Sequence, residues 1–418
     1  MSTLADSFEL QLGINSYLTT TSIRTITWTW VKQQAVEGVA IRWGRDSILD
    51  SPRQRTATIT VLEDRNFSMR EMLDTLPNQM LRLKLNNLSY PVIFEGIIDT
   101  VAPFIHGSKK GITVSATESF FTSFSDTRLN TIGEESDGNP FLNAVSPDYT
   151  LSWLTSMRSY LPASTFLRTW PSGCTFLPQP DAKSLIVKEI AEAIAAWHPL
   201  TFPSWSPDHK QIRSTWAGDF VFGLQPLHNI IDVAASKVIV SDDVEIDART
   251  YPKSWEIQQG SVSIAKVMEP EFYRQSWPRG QTNVKSDHLL NVNPDTVSGF
   301  VNDVMKPGVD ALKAQVTSPR KFRFSHNLIG KTDDVFWFPW ERNTQQIRIT
   351  KEPYAELMGI DPVFVPIGGT LKITADDVTH DVNCVWARNR PATNARKTWA
   401  QLTSLWARYT QDWSEFTL

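Results

Sequence analysis

Ile41-Arg42-Trp43-Gly44-Arg45-Asp46-Ser47-Ile48-Leu49-Asp50-Ser51-Pro52, running into Thr56-Ala57-Thr58-Ile59-Thr60-Val61-Leu62, decides the fold class. Val39, Ile41 and Trp43 alternate with small or polar residues after a Glu37-Gly38 turn, and threonines alternate with Ala57, Ile59 and Val61. An apolar residue at every second position is the mark of a strand with one face buried. The same period occurs upstream, where Ile26, Trp28 and Trp30 alternate with Thr25, Thr27 and Thr29. It returns downstream in Leu81-Arg82-Leu83-Lys84-Leu85, in Phe94, Gly96 and Ile98, and in Ile112, Val114 and Ala116. One short helix interrupts these strands. Ser68 and Glu71 are spaced as a capping box, Phe67 and Met72 as a hydrophobic staple, and Pro77 stops the helix. Short strands around a single helix predict a small β-barrel over residues 1–125.

Beyond that unit the periodicity fades. Prolines at 140, 147, 162, 171, 178 and 180 punctuate a stretch with one helix candidate, carried by Leu151, Leu154, Met157 and Leu161. Two amphipathic helices are expected next. The first is capped by Asp181, with Ile186, Ile190, Ala193 and Trp197 on one side; the second carries Leu227, Ile230, Ile231, Ala234 and Val238. Residues 126–243 therefore read as a loop-rich bracing region containing helices. From 244 to 390 strand patterns return, at Val262, Phe322-Arg323-Phe324, Ile347-Arg348-Ile349, Leu371-Lys372-Ile373 and Val382 to Trp386, with a helical interruption near 296–316. Residues 391–418 form a tryptophan-rich C-terminal segment. The expected class is β-rich α+β: an N-terminal small β-barrel, a helix-containing middle region, a second β-rich domain and an aromatic C-terminal segment. A length of 418 residues suits on the order of two to four domains.

Composition narrows the function. Lys+Arg 41 against Asp+Glu 45 leaves a net charge of -4, and residues 1–125 carry equal numbers of basic and acidic side chains. Gripping nucleic acid needs a basic excess, so that class is disfavoured. Cys174 and Cys384 are the two cysteines, too few for a disulfide framework, and are read as ordinary thiols. The N-terminus lacks the basic and apolar regions of a secretory signal, and no apolar run approaches the ~20 residues of a membrane span. These features describe a soluble protein made in a cytoplasm, with no membrane partner.

No catalytic motif stands out. The seven histidines do not pair at the spacing of a zinc protease, and neither cysteine has a histidine beside it. His380-Asp381, near Asp376-Asp377, is the nearest thing to an acid–base or metal cluster, and lies where a solvated hairpin turn is the simpler reading. Asp243, Glu245 and Asp247 have the spacing that opens a calcium loop, but Ala248 stands where the turn glycine belongs and Ser254 where the closing glutamate belongs. An exposed strand face explains that run better. Carboxylates that pair in space for sugar hydrolysis leave no trace in sequence, which keeps a glycan-cleaving enzyme as a third class. No catalytic residue, metal ligand or cofactor is expected.

The 16 tryptophans, against eight tyrosines, are the most suggestive feature. Trp399, Trp406 and Trp413 recur every seventh residue, with Leu402, Leu405 and Tyr409 between them. On a helix this is one aromatic stripe, suited to core packing or to anchoring another chain. Trp399, Leu402, Trp406, Tyr409 and Trp413 are the candidate interface residues, the position near the chain end favouring an interface. Trp337 and Trp340, in Phe336-Trp337-Phe338-Pro339-Trp340, suit either a core or a platform stacking on sugar rings.

The order "leading strand, Asp50-Ser51-Pro52 turn, threonine-rich strand Thr56–Leu62, short helix, Leu81–Leu85, then Phe94-x-Gly96-x-Ile98" resembles the opening domain of phage tail hub proteins. It is similar in particular to minor tail proteins of long, non-contractile-tailed phages infecting actinobacteria. Thr398-Trp399-Ala400-Gln401-Leu402-Thr403 and its continuation resemble the tails of those proteins. The likeness covers residues 1–125 well and the rest only in the order of elements. It implies a non-enzymatic virion protein at the tail tip, a baseplate hub working as a homotrimer in which each copy contributes two related barrels. Its implied partners are further copies of itself, the distal tail protein, the tape measure protein and other tail-tip proteins, with DNA only in transit. A second barrel is not cleanly located in the sequence. The alternative is a carbohydrate-binding receptor-recognition module of the tail tip that uses exposed tryptophans.

Overall fold

A computed structural model describes residues 8–17, 24–31, 36–46, 53–63, 69–86, 88–89, 91–118, 201–206, 211–216, 230–240, 252–259, 262–268, 281–286, 301–302, 306, 320–330, 334–340, 346–352 and 363–387. The N-terminal strands are β1 (Phe8–Tyr17), β2 (Arg24–Val31), β3 (Val36–Gly44), β4 (Arg53–Leu62), β5 (Met80–Leu85), β6 (Val92–His106) and β7 (Lys109–Glu118), with helix α1 (Met69–Thr75) between β4 and β5. Further along come β8 (Thr201–Ser206), β9 (Gln211–Trp216), β10 (Ile230–Ala234), β11 (Val238–Val240), β12 (Pro252–Gln259), β13 (Val262–Met268) and β14 (Gln281–Ser286). The last group is β15 (Arg320–Ser325), α2 (His326–Ile329), α3 (Asp334–Trp337), β16 (Gln346–Thr350), β17 (Val363–Thr374) and β18 (Val378–Trp386).

Every strand read from the N-terminal sequence is present, and alternation is the reason. In β4 and β7 the residues Ala57, Ile59, Val61, Ile112, Val114 and Ala116 are buried, and Ala57↔Ala116, Ile59↔Val114 and Val61↔Ile112 face one another across the antiparallel pair. β1 was not among the expected strands, although Phe8, Leu10, Leu12 and Ile14 carry the same period. Helix α1 ends two residues before Pro77, in keeping with the exclusion of helical backbone just before proline. Its expected capping residue Ser68 lies outside the described residues. Glu37-Gly38 is not a turn but a bulge inside β3, where the pairing with β4 shifts register between Val36 and Gly38.

The Phe94-x-Gly96 spacing has a steric cause. A Cβ on Gly96 would lie 2.4 Å from the Thr117 carbonyl oxygen and 2.7 Å from the Phe94 ring. The ring of Phe94, itself fully buried, covers the space two residues along its own strand. Gly96→Ala is therefore expected to destabilise the protein by about 1–3 kcal/mol, the usual cost of overpacking. The shift of the urea midpoint at unchanged slope checks this.

The N-terminal sheet does not close into a barrel. Its order is β3-β4-β7-β6-β5-β1-β2, and the free edge of β3 is taken not by β2 but by β17, from the far end of the chain. One sheet of 13 strands therefore runs from β2 through β3 and β17 to β18, β15 and β11, with β16 and β10 attached at β17. This is why the expected barrel is absent: the edge whose pairing would close it is occupied. A single buried apolar cluster spans both halves, from Phe8 to Trp386. A three-stranded sheet (β13-β12-β14) and the β8–β9 hairpin complete the described strands.

The second expected amphipathic helix is also corrected. Ile230–Ala234 is a strand parallel to β16, Ala235–Lys237 is a 3-10 turn, and Val238–Val240 is a strand antiparallel to β15. Two short strands with a turn between them shift the phase of the apolar residues, and the result mimics helical spacing. The β-branched Ile230-Ile231 and Val238-Ile239-Val240 suit strands, and pairing with β16 and β15 decides the matter. The first expected helix, the candidate at 151–161, Cys174, the Asp243–Asp247 run and the Trp399–Trp413 stripe lie outside the described residues.

Candidate functional site

The place where the chain's two halves join is the most constructed feature among the described residues. Among the described residues, β3–β17 is the one strand pairing between the N-terminal strands (β1–β7) and the C-terminal group (β10, β11, β15–β18). Along a single edge, β17 first pairs with β16 (Phe364↔Ile347, Val363↔Arg348) and then with β3 (Gly368↔Gly44 through Thr374↔Gly38). The change of partner falls at Pro366–Gly368, where the β17–β18 register also shifts. Proline has no N–H to give a ladder, so it fits a point where the ladder is interrupted. The gap is bridged by the Arg45 N–H, which donates to the Ile367 carbonyl at 2.9 Å, and by the Asn383 side-chain amide, which donates to the Arg45 carbonyl at 2.9 Å.

The strands approach too closely here for side chains. A Cβ on Gly368 would stand 2.2 Å from the Arg45 carbonyl oxygen and 2.3 Å from the Arg45 nitrogen. Its register partner Gly44 has φ +68 and would place a Cβ 2.2 Å from the Ile367 oxygen. Left-handed backbone is the natural territory of glycine.

Over this junction sits a buried plug of aromatic and polar side chains. Trp43 on β3 meets Trp340, from the turn after α3, with ring centroids 5.3 Å apart and planes tilted by 58°. The Trp43 indole N–H donates to Nε2 of His380 on β18 at 2.9 Å. Trp340 also receives the Arg55 guanidinium, whose Cζ is 5.3 Å from the ring centroid, a buried cation–π contact between the halves. Arg55, on β4, forms an ion pair at 2.5 Å with Glu118 at the end of β7, and these side chains are 2% and 1% exposed. A buried charge is tolerated when it is paired and hydrogen-bonded.

Burial moves the titration of the groups here. His380 is completely enclosed, which pushes its pKa down to about 3 against a smaller upward pull from Asp381. It is neutral at physiological pH, and because Nε2 accepts a hydrogen bond, the ring proton sits on Nδ1. Burial alone raises the Cys384 thiol far above its ordinary value, so this free cysteine stays protonated. Burial also pushes the Asp381 carboxyl up, but hydrogen bonds from Arg323 and Lys372, and their charges, outweigh that and hold it below its ordinary value.

The sequence expectations fare unevenly. His380 is not in a turn: it lies within β18, opposite Leu371 of β17 and Phe324 of β15. Asp376 and Asp377 do form the hairpin turn, closed by the Thr374 N–H on the Asp377 carbonyl. The Asp377 carboxylate accepts from the Ser325 hydroxyl at 2.5 Å and from the Asn327 backbone N–H at the start of α2. Trp337 and Trp340 are 0% and 1% exposed. Both are core, packed with Phe336, Phe338 and His326, and neither presents a face to a sugar. Arg45, Arg55 and Glu118 were not singled out from sequence, since charged residues at strand ends ordinarily read as solvated. Among the described residues no three His, Cys, Asp or Glu side chains gather so as to hold a metal ion.

No family model matches the chain, and no curated protein matches it in sequence. Solved structures do resemble it. The tail protein from Neisseria meningitidis MC58 superposes with a TM-score of 0.50 at 10% identity, over 91% of this chain and 96% of that one. The 43 kDa tail protein of prophage MuSo2 from Shewanella oneidensis gives 0.48 at 10% identity, over 90% and 98%. The E. coli c3393 protein, described as a component of the type VI secretion system with similarity to the T4 tail proteins gp27 and gp5, gives 0.42 at 8% identity, over 85% and 76%. Along nearly its whole length, then, the chain shares the fold of the Neisseria tail protein.

Proposed function

We propose that the chain is a structural, non-catalytic subunit of a phage tail, located at the tail tip, where it forms the hub ring that joins the tail tube to the tip. The observation that carries this reading is the end-to-end match to a tail protein, which covers nearly all of both chains rather than one shared domain. The resemblance of residues 1–125 to the hub proteins of long non-contractile tails points the same way. In this reading the ring is a homotrimer that contacts the distal tail protein, the tape measure protein and other tail-tip proteins, and passes DNA in transit. A net charge of -4 is compatible with passage, because a basic lining would retain DNA. A continuous sheet locked through a buried seam suits a load-bearing wall. The carbohydrate-binding alternative has lost the two tryptophans named for it, which are core residues.

Light scattering with negative-stain imaging of the purified protein tests the hub reading. A trimeric ring with a central opening is the expected result; a compact monomer that stays monomeric when mixed with its tail neighbours would overturn it. The Trp399, Leu402, Trp406, Tyr409 and Trp413 stripe is assigned to the contact between chains. Truncation before Trp399 is therefore expected to abolish assembly while leaving the cooperative unfolding transition in place. Normal assembly of the truncated chain would remove that assignment.

A further inference from the structure

We propose that the β3–β17 seam is an acid-sensitive latch: protonation of His380 drives the Trp43 indole N–H off its acceptor and lets the two halves of the sheet part without either half unfolding. Trp43 Nε1 points its hydrogen at His380 Nε2. A proton on Nε2 would set donor against donor, so the protonated ring and the Trp43 hydrogen bond exclude each other. The ring is 0% exposed and cannot turn to water while the seam is closed.

Its surroundings offer little to an added charge. β17 presents Leu371, β15 presents Phe324, and β3 and the turn after α3 present the rings of Trp43 and Trp340. Asp381 is next along β18, so its side chain leaves by the other face, where it is engaged by Arg323 and Lys372. The Arg55–Glu118 pair lies beyond Trp340, with its positive member toward the ring. The seam is also a natural unit of opening: one strand pairing, with the plug and the adjoining part of the shared apolar cluster over it, joins halves that each keep their own ladders.

The sign follows from linkage. In the closed seam His380 titrates at about 3, whereas an imidazole released to water returns to about 6.5. The open form therefore binds the extra proton, closure is fully supported above pH 6.5, and that support is lost as pH falls toward 3. Between pH 8 and pH 4.5 the open population should rise roughly 100-fold. Asp381, held below its ordinary value, keeps its charge over this range.

Hydrogen–deuterium exchange on the full chain, corrected for the intrinsic pH dependence of exchange, reads the opening directly. The amides of segments 38–45 and 368–374 whose bonds cross between β3 and β17 should lose about 100-fold protection at pH 4.5 relative to pH 8, while the β5–β6 pair keeps its protection. His380→Gln, which retains an acceptor for Trp43 but does not titrate, should show a flat profile at the seam. The proposal fails if the wild-type seam is flat, if β5–β6 loses protection in parallel, or if the glutamine variant follows the wild type. Should the glutamine variant not fold, His380→Leu serves instead: it removes the titrating group, so its seam must show a flat profile, and an acid response equal to that of the wild type overturns the latch.

Discussion

Replacing Glu118 by alanine is expected to cost about 3–5 kcal/mol of stability, because it leaves the Arg55 charge buried without its counter-ion. The pair is closed off from water on both sides, and Arg55 is in addition held against the Trp340 ring. Water therefore cannot move in to replace the carboxylate without disturbing the plug. The effect should appear as a fall in the urea midpoint with little change in slope. A double replacement, Arg55→Met with Glu118→Leu, is the informative control. Replacing both charges with apolar side chains of similar volume should recover most of the loss, since the net worth of a buried pair is small even when breaking it is costly. A single mutant as mild as an exposed-pair deletion, below about 1 kcal/mol, would show that the ion pair is solvated in solution.

The second large effect is expected at Gly368. Alanine there sets a methyl group against the Arg45 backbone rather than against a side chain that can swing away. Strands β3 and β17 must separate locally, losing the Arg45 N–H bond to Ile367 and disturbing Trp43 above it. A destabilisation of about 3 kcal/mol or more is expected, at the upper end of overpacking. It should be regional, with exchange protection falling across residues 36–44 and 368–374 while the β6–β7 pair, which shares no residue with the seam, is spared. Loss confined to the two or three residues around Gly368 would mean that the seam accommodates the methyl by bending.

Most strands with one buried face were legible in the sequence, β1 excepted, whereas a stretch buried on both faces was not, for a reason visible in β17. Its Leu371-Lys372-Ile373 end alternates and was read as a strand; there Lys372 is exposed while its neighbours are buried. Its Val363–Ile367 end is buried on both faces, so every residue is apolar and no period remains to read. Ile230 to Val240 failed differently, because a three-residue turn between two strands moved the apolar phase into a helical pattern. The barrel expectation failed at the level of pairing: alternation tells which face of β3 is buried but not which strand will take its edge. The seam itself was the least legible part. Trp43 lay within the stretch that decided the fold, but its partner His380 is 337 residues away. Nothing in the spacing of Arg55 and Glu118 distinguishes a buried pair from two solvated ends.

The route of the sheet also bears on how the protein is made. Strand β3 (Val36–Gly44) leaves the ribosome roughly 320 residues before β17 (Val363–Thr374), the strand that covers its edge. At about 5–20 residues per second the interval is roughly 15–60 s. Throughout that time the nascent chain carries an uncapped strand edge with Val39, Ile41 and Trp43 alongside it, open to pairing with a neighbour on the same polysome. Slower translation lengthens the exposure, so misassembly between nascent chains should track synthesis rate rather than the stability of the finished protein.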